Sequence, residues 1–409
     1  MQPFKGDKCF LLNMYHLKSV FWLSFFIVFY SYLGYGALLY FLVSIKRAFT
    51  KKISRPSSES HYEPDITLIV SAFNEEGFIQ KKIENTFQLS YPPEKLKMIF
   101  ITDGSTDRTP EIISRFPQIQ LLHEPPRRGK VAAMNRAMKF VSTPYVIFSD
   151  ANTLLNAGCI TEIAKHYADP VVGGVAGEKK VITGSDARAA GAGEGLYWKY
   201  ESFLKKLDSE FYSVVGAAGE LFSLRTDLFE QAEENIIIED FVLSLKICMK
   251  GYVIRYEPGS FAMEDSSLSM KEEEKRKIRI CAGAFQAMVI LKGLFNIFKY
   301  PSLSFQFISH RILRWTLCPL CLVLLLITNM LIAILNGSMV YQAFLILQIL
   351  FYSCALLGWF YANKNIKIKS LYIPYYFFFM NISVFLGFKR FITKKQTVLW
   401  EKAARKNQL

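Results

Sequence analysis

Several kinds of chemistry lack their parts in this 409-residue sequence. It holds no Ser/His/Asp set, no Walker loop and no Cys/His metal cluster, which leaves serine catalysis, P-loop nucleotide hydrolysis and structural zinc without support. No helix-turn-helix, zinc-finger or RNA-binding signature accompanies the basic balance, so nucleic acid is not the expected partner. Cysteines are few, seven in all. Only Cys318 and Cys321 stand close together, one helical turn apart in an apolar run without other ligands, which fits packing rather than metal or redox work. Cys159, Cys248 and Cys281 fall in the polar part of the chain and suit a reducing compartment. No small-residue cleavage signal follows the first apolar run, so an anchor is expected there rather than a signal peptide. Neither an internal repeat nor a low-complexity segment is evident.

What is abundant is apolar and basic. Hydrophobic residues make up 51% and aromatics 15%, with 35 Phe and 21 Tyr, which points to several membrane segments. A formal charge of +14 suits an anionic inner leaflet or the handling of phosphates. Val20 to Val43 is long enough to cross a bilayer at roughly 20 residues per crossing. Lys46, Arg47, Lys51, Lys52 and Arg55 follow it, and the positive-inside rule places that end in the cytoplasm. The expected division is a tail at 1–19, an anchor at 20–45, a basic linker at 46–64, a cytosolic α/β domain at 65–270, amphipathic interfacial helices at 271–300, a C-terminal transmembrane region at 301–390 and a basic tail at 391–409. Within the C-terminal region, 315–334 and 340–361 read as spans. The shorter stretch 371–387 has basic clusters on both flanks, so it either spans or re-enters the membrane.

From Asp65 the pattern is strand, turn, helix, repeated. Ile66–Val70, Lys97–Thr102, Ile119–Leu122 and Tyr145–Phe148 are short β-rich runs, each followed by a helical stretch, which implies a parallel sheet covered on both faces. Ligands bind beyond the carboxyl ends of such strands, where Asn74, Asp103 and Asp150 are expected to converge. Val171–Gly177 reads as a Gly-rich strand, Glu194–Leu207 as a helix, Gly216–Arg225 as a loop running into a strand, and Val253–Tyr256 as the last strand. Lys271–Arg279 should be a helix at the membrane surface and Phe285–Tyr300 an interfacial one.

Three sets of polar residues carry candidate chemistry. Glu239-Asp240 interrupts an apolar run. The pair either caps the following helix, since acids favour helix N-termini, or supplies a general base. A partly desolvated Asp240 next to Glu239 would have the raised pKa that deprotonating a sugar hydroxyl requires. Asp150 and Asn152 can place two oxygens on one Mg2+ or Mn2+, and an Asx turn accounts for the same spacing. Lys130 and Arg279 can add cationic donors to a diphosphate, or lie on the surface as solvated charges.

The ordered set Ala72-Phe73-Asn74-Glu75, Asp103-Gly-Ser-Thr-Asp107, Gly129-Lys130 with Asn135, Asp150-Ala-Asn152, Gly219-Glu220 and Glu239-Asp240 resembles inverting family 2 glycosyltransferases. The membrane-embedded group with cellulose, hyaluronan and poly-N-acetylglucosamine synthases is the nearest in pattern. The resemblance implies a GT-A fold, with Phe73, Glu75, Asp103 and Lys130 on the nucleotide, Asp150 and Asn152 on the metal and Asp240 as base. Ala72, Asn74 and Arg279 go with the donor site, Gly219, Glu220 and Arg276 with the acceptor side. Processive members carry Gln-x-x-Arg-Trp after the base. Here Arg276-Lys-Ile-Arg279-Ile280 keeps only the Arg, and Arg311-Ile-Leu-Arg314-Trp315 is read as a lipid-interface anchor. The expected activity is transfer from a UDP-sugar, such as UDP-GlcNAc or UDP-Glc, to a lipid-linked or polysaccharide acceptor in a bacterial inner membrane. A processive synthase and a non-catalytic nucleotide-sugar sensor are the alternatives.

Overall fold

The computed structural model describes residues 5–49, 62–182, 190–265, 270–364, 366 and 368–395. The expected linker around 50–61 and the end of the basic tail, 396–409, lie outside them. The strands are β1 (Ile66–Ala72), β2 (Leu96–Asp103), β3 (Gln120–Glu124), β4 (Tyr145–Asp150), β5 (Leu154–Leu155), β6 (Val172–Ile182), β7 (Leu221–Arg225) and β8 (Val253–Asp265). They form one eight-stranded sheet in the order β3-β2-β1-β4-β7-β6-β8-β5.

The first four strands are parallel, as their continuous apolar runs predict. Every residue of β1 is buried, the mark of a strand covered on both faces. Beyond β4 the expectation of a wholly parallel sheet fails, because β7 runs antiparallel to both β4 and β6. The cause is local. The loop before β7 lies at the carboxyl ends of the parallel strands, with Leu221 opposite Ser149, so the strand that leaves it must run back down. β8 extends nine residues past Tyr256, and its pairing shifts between Gly177 and Glu178 of β6. Polar residues in the extension hide its strand character from the sequence.

The helices are α1 (Lys5–Phe29), α2 (Tyr35–Phe49), α3 (Ile79–Phe87), α4 (Thr109–Ser114), α5 (Lys130–Met138), α6 (Cys159–His166), α7 (Ala190–Phe211), α8 (Glu239–Met249), α9 (Met270–Ile290), α10 (Pro301–Gln306), α11 (Leu313–Trp315), α12 (Leu317–Asn336), α13 (Met339–Asn363) and α14 (Lys369–Ile392). Among the described residues, four helical stretches are long and apolar enough to cross a membrane: Met14–Phe49, Leu317–Asn336, Met339–Asn363 and Lys369–Ile392. The chain is therefore membrane-associated.

α1 and α2 form one rod, joined by a π-helical turn at Tyr30–Gly34. Its first part packs Met14 and Phe21 among Leu325, Ile332 and Tyr341. Its second part docks on the α/β domain instead, with Tyr35, Leu39 and Val43 against Leu204 and Leu207 of α7. Lys46 Nζ donates to the Glu210 and Phe211 carbonyls, and Arg47 pairs with Glu210 at 2.5 Å. The interval 20–45 thus belongs to a helix that continues into the domain. Phe285–Tyr300 is not one interfacial helix. α9 runs to Ile290, and a 3-10 turn at Lys292–Phe295 follows. Residues 371–387 form no hairpin and belong to the single helix α14.

Candidate active site

The carboxyl ends of β1 and β4, the loop before β7 and the start of α8 enclose a cavity of about 1340 Å³. Lys130 lies in its wall. Gly129 precedes it at φ +101°, a conformation glycine adopts without strain, and Lys130 opens α5. Its ammonium sits 2.7 Å from Asp150 Oδ1 and 3.1 Å from Glu239 Oε1, and donates to the Gly219 carbonyl at 3.3 Å. Burial opposes that charge, but the carboxylates of Asp150, Glu239 and Asp240 outweigh it and raise the Lys130 pKa.

Glu239 and Asp240 occupy the first turn of α8, where Ile238 is the N-cap residue without a side-chain cap bond. The pair lines the cavity together with Lys130. Burial, and after it the Glu239 charge, pushes Asp240 up to about 7, with Lys130 opposing. Gly219 makes room for the pair. A Cβ there would stand 3.1 Å from Lys130 Nζ and 3.3 Å from Asp240 Oδ2. Gly216, at φ +89°, lies so close to Phe241 that a Cβ would overlap its ring at 2.1 Å.

The sequence-derived residues separate into two groups. Phe73, Glu75, Lys130, Asp150, Asn152, Gly219, Glu220, Glu239, Asp240, Arg276 and Arg279 all line the cavity. Ala72, Asn74 and Asp103 do not. Asn74, at φ +52°, accepts from the Thr106 amide at 2.8 Å and fastens the β1 turn to the β2 turn. Asp103 is fully buried, and its two oxygens accept from the amides of Arg128 at 2.9 Å and Gly129 at 2.8 Å. It holds the loop that delivers Lys130. In the same loop Arg127 stacks on the Phe73 ring at 3.6 Å.

Beside Asp150 lies a second charged group that sequence reasoning only half found. Lys179 of β6 pairs with Glu220 at 2.5 Å and with Glu264 of β8, and Arg276 stands 3.8 Å from Glu220. Burial raises the Glu220 pKa, but Lys179 and Arg276 prevail and hold it well below the carboxylate range. Glu264 carried no readable signal, because it sits in the unrecognised extension of β8. Beneath β4, buried Lys82 donates to Ser149 Oγ at 2.8 Å and the Thr153 carbonyl at 2.9 Å. Burial lowers its pKa to about 7.

Toward the membrane the wall changes character. Glu201 of α7 is buried between Arg314 at 2.5 Å and Arg311 at 3.1 Å. Burial opposes its ionisation, yet Arg311 and the other cations hold its pKa well below normal. Arg314 Nε also donates to the Ser31 carbonyl at 3.0 Å, and the Tyr200 hydroxyl to the Tyr32 carbonyl at 2.6 Å. Both acceptors lie in the π-helical turn, whose wider geometry releases backbone carbonyls from the helical ladder. Trp315, expected at the lipid interface, lines the cavity with its ring 5.3 Å from that of Phe241. Adjacency to the α12 run points to the interface, whereas the helical spacing of Arg311, Arg314 and Trp315 puts all three on the cavity wall.

The donor set at Asp150 fits a divalent cation. Asp150 and Asn152 line the cavity from one turn. Burial, with Glu220 and Glu264 adding to it, raises the Asp150 pKa despite Lys130, and a cation bound there would share the carboxylate with the Lys130 ammonium at 2.7 Å. No cluster of three His, Cys, Asp or Glu ligands exists among the described residues, so an ion held here would need its other ligands from substrate phosphates and water.

Residues 67–232 match the glycosyl transferase family 2 model. The poly-β-1,6-N-acetyl-D-glucosamine synthases of Staphylococcus aureus strain MSSA476 and Staphylococcus epidermidis are 26% and 24% identical over 274 and 281 residues. These matches span 64% and 66% of this chain and 63% and 65% of those proteins, just under two thirds of their length. A mannosyltransferase from Pyrobaculum calidifontis, solved in complex with GDP-Man and Mn2+, shares the fold with a TM-score of 0.67 at 21% identity, over 93% of this chain and 100% of that one.

Proposed function

The chain is a family 2 glycosyltransferase with a GT-A fold, and from that premise we propose that it moves a sugar from a nucleoside-diphosphate sugar to a hydroxyl of a lipid-linked or glycan acceptor, inverting the anomeric centre. The donor is UDP-linked, UDP-GlcNAc or UDP-Glc. The observation that carries this reading is Lys130, which ties Asp150 to Glu239 in one cavity with Asp240.

Each group then has a task. Asp240 takes the proton from the acceptor hydroxyl, whose oxygen forms a bond to the anomeric carbon as the bond from that carbon to the diphosphate breaks. Attack from the face opposite the leaving group makes an α-linked donor yield a β-bond. Lys130 and Arg279 stabilise the charge that develops on the departing diphosphate. Phe73 and Arg127 form one side of the nucleotide pocket, and Asp103 positions Lys130 through the 127–130 loop. Asp150 and Asn152 would hold Mg2+ or Mn2+, which when bound neutralises diphosphate charge.

A lipid-linked acceptor is supported by the apolar continuation of the cavity. Phe25 and Phe29 of α1 and Ile373, Phe377 and Met380 of α14 line it together with the catalytic acids. Trp315 beside Phe241 supports the second reading, a glycan chain stacked on an aromatic platform and extended repeatedly, as the names of the staphylococcal relatives suggest. In both readings the α/β domain faces the cytoplasm of a bacterial cell, where nucleotide sugars are held.

The test is nucleoside diphosphate release from a panel of UDP-sugars and GDP-mannose by detergent-purified protein with Mn2+ or Mg2+, with membrane lipid extract or short glycans as acceptor. Acceptor-dependent release should fall by about 10²–10⁴-fold in Asp240→Asn, the contribution of a general base, with UDP binding retained. Equal activity in the variant removes Asp240 from the mechanism. Growth of product length with time in the glycan arm separates repeated from single transfer.

A further inference from the structure

One cation on the cavity wall comes from neither the α/β domain nor any motif. It is Arg390, in the last turn of α14. Gly387 brings it there by allowing α14 to touch the α9 backbone. A Cβ on Gly387 would stand 2.5 Å from Cys281 Cβ and 2.9 Å from the Ala282 amide. Phe388 closes on Phe285 at 4.9 Å between ring centres. Arg390, three residues beyond Gly387, is thereby held near Arg279 of α9.

The other central cations of the wall are committed: Lys130 to Asp150 and Glu239, Arg311 to Glu201. Arg279 and Arg390 make no hydrogen bond or ion pair among the described residues, and Arg390 Nε is shielded from solvent without an acceptor. Burial lowers the Arg279 pKa, and the charges of Arg276 and Arg390 add to that effect against Glu239 and Asp150. Two neighbouring guanidinium groups in a partly desolvated cavity call for an anion. Their planar forks match phosphate oxygens in pairs.

We propose that Arg390, delivered by the apolar helix α14, forms with Arg279 a clamp for a phosphoryl group where the cavity meets the membrane. This rests on the transfer reading above. The donor diphosphate is its occupant, because Arg279 lies within electrostatic reach of Asp150 and Glu239. A lipid acceptor's phosphate offers the same chemistry, since Ile373, Phe377, Met380 and Val384 continue the cavity along α14 toward Arg390.

The clamp is tested by calorimetric titration of the full chain in detergent with Mg2+, using UDP, inorganic pyrophosphate, uridine and dodecyl phosphate. Arg390→Gln should weaken UDP and pyrophosphate by about tenfold or more and leave uridine unchanged. A loss confined to dodecyl phosphate supports the clamp and assigns it to the acceptor. Unchanged affinity for all three phosphates in a folded variant overturns it. Should Arg390→Gln lose its cooperative thermal transition, Arg390→Lys decides: it keeps the charge but not the paired geometry, so weaker pyrophosphate binding supports the clamp and wild-type binding overturns it. Pyrophosphate binding without nucleoside diphosphate binding would sink the donor reading alone, with the variant comparison still valid. Wild-type protein that binds no phosphate overturns both.

Discussion

Asp240 shares its surroundings with Glu239 and Lys130, so its proton affinity belongs to three charges. Burial and then Glu239 lift its pKa to about 7, while Lys130 pulls it down. A base works unprotonated, so kcat/KM should rise with pH along a limb centred near 7, one that reports the coupled pair rather than Asp240 alone. Glu239→Gln removes the charge that raises the pKa, and the limb should move to lower pH. Profiles of both proteins between roughly pH 5 and 9 would check this, and an unmoved limb would remove Glu239 from the coupling. The linkage to stability has the corresponding sign. A carboxyl whose pKa is raised on folding contributes stability in acid that is lost as pH rises through about 7. At this scale the sequence was most informative where acids follow strands or open a helix, because strand ends and helix starts fix side-chain positions. Asp150, Glu239 and Asp240 were readable for that reason. Asp103 was readable only as an acid at a strand end, since whether its oxygens meet a ligand or two amides depends on the path of the 127–130 loop.

Between elements, one close contact of consequence is the α9–α14 crossing. Gly387 lets the backbones meet, as small residues do wherever helices approach closely. Gly387→Leu should force the helices apart, at a cost of about 1–3 kcal/mol typical of overpacking. A lower thermal midpoint together with weaker UDP binding is expected, because Arg390 moves with α14. Lost stability with intact UDP affinity would show that the crossing serves packing alone. The crossing could not be read beforehand, because residues 281 and 387 are over a hundred positions apart and each lies in a run explicable by itself. Antiparallel β7 was hidden for a similar reason. Strand direction depends on where the preceding loop emerges, and a five-residue apolar run does not report that.

At the scale of the whole molecule, the fold bears on the charge conflict around residues 371–387. Lys364 and Lys367 precede α14 in the chain and Lys369 opens it, while Lys389, Arg390, Lys394 and Lys395 close or follow it. A crossing helix would put one cluster on the far side. Yet Ile373 near one end and Arg390 near the other line the same cavity as Asp150 and Asp240, and α14 packs along α9. It is therefore expected to lie along the membrane surface with both ends on the catalytic side, leaving α1, α12 and α13 to cross. Single cysteines at Lys364 and Lys394, both exposed, should react with a membrane-impermeant maleimide from the same side of oriented vesicles. Labelling from opposite sides would mean that α14 crosses. Composition alone could not distinguish these placements, since an apolar helix that covers an active site and one that crosses lipid need the same residues.

The unbroken helix from Met14 to Phe49 has a mechanical consequence. Its 36 residues measure about 54 Å at 1.5 Å per residue, against a hydrocarbon layer about 30 Å thick. The surplus stands out of the lipid as a mast, and α7 is lashed to it through Tyr35, Leu39, Val43 and Lys46. The level of the candidate cavity relative to the headgroups is thus fixed by one helix, whose Phe25 and Phe29 line it. A thicker bilayer swallows part of the mast and lowers the cavity toward the lipid; a thinner one lifts it away. Among acceptors of identical chemistry, those whose spacer matches that height would be reached, and the membrane itself would act as a gauge of which they are.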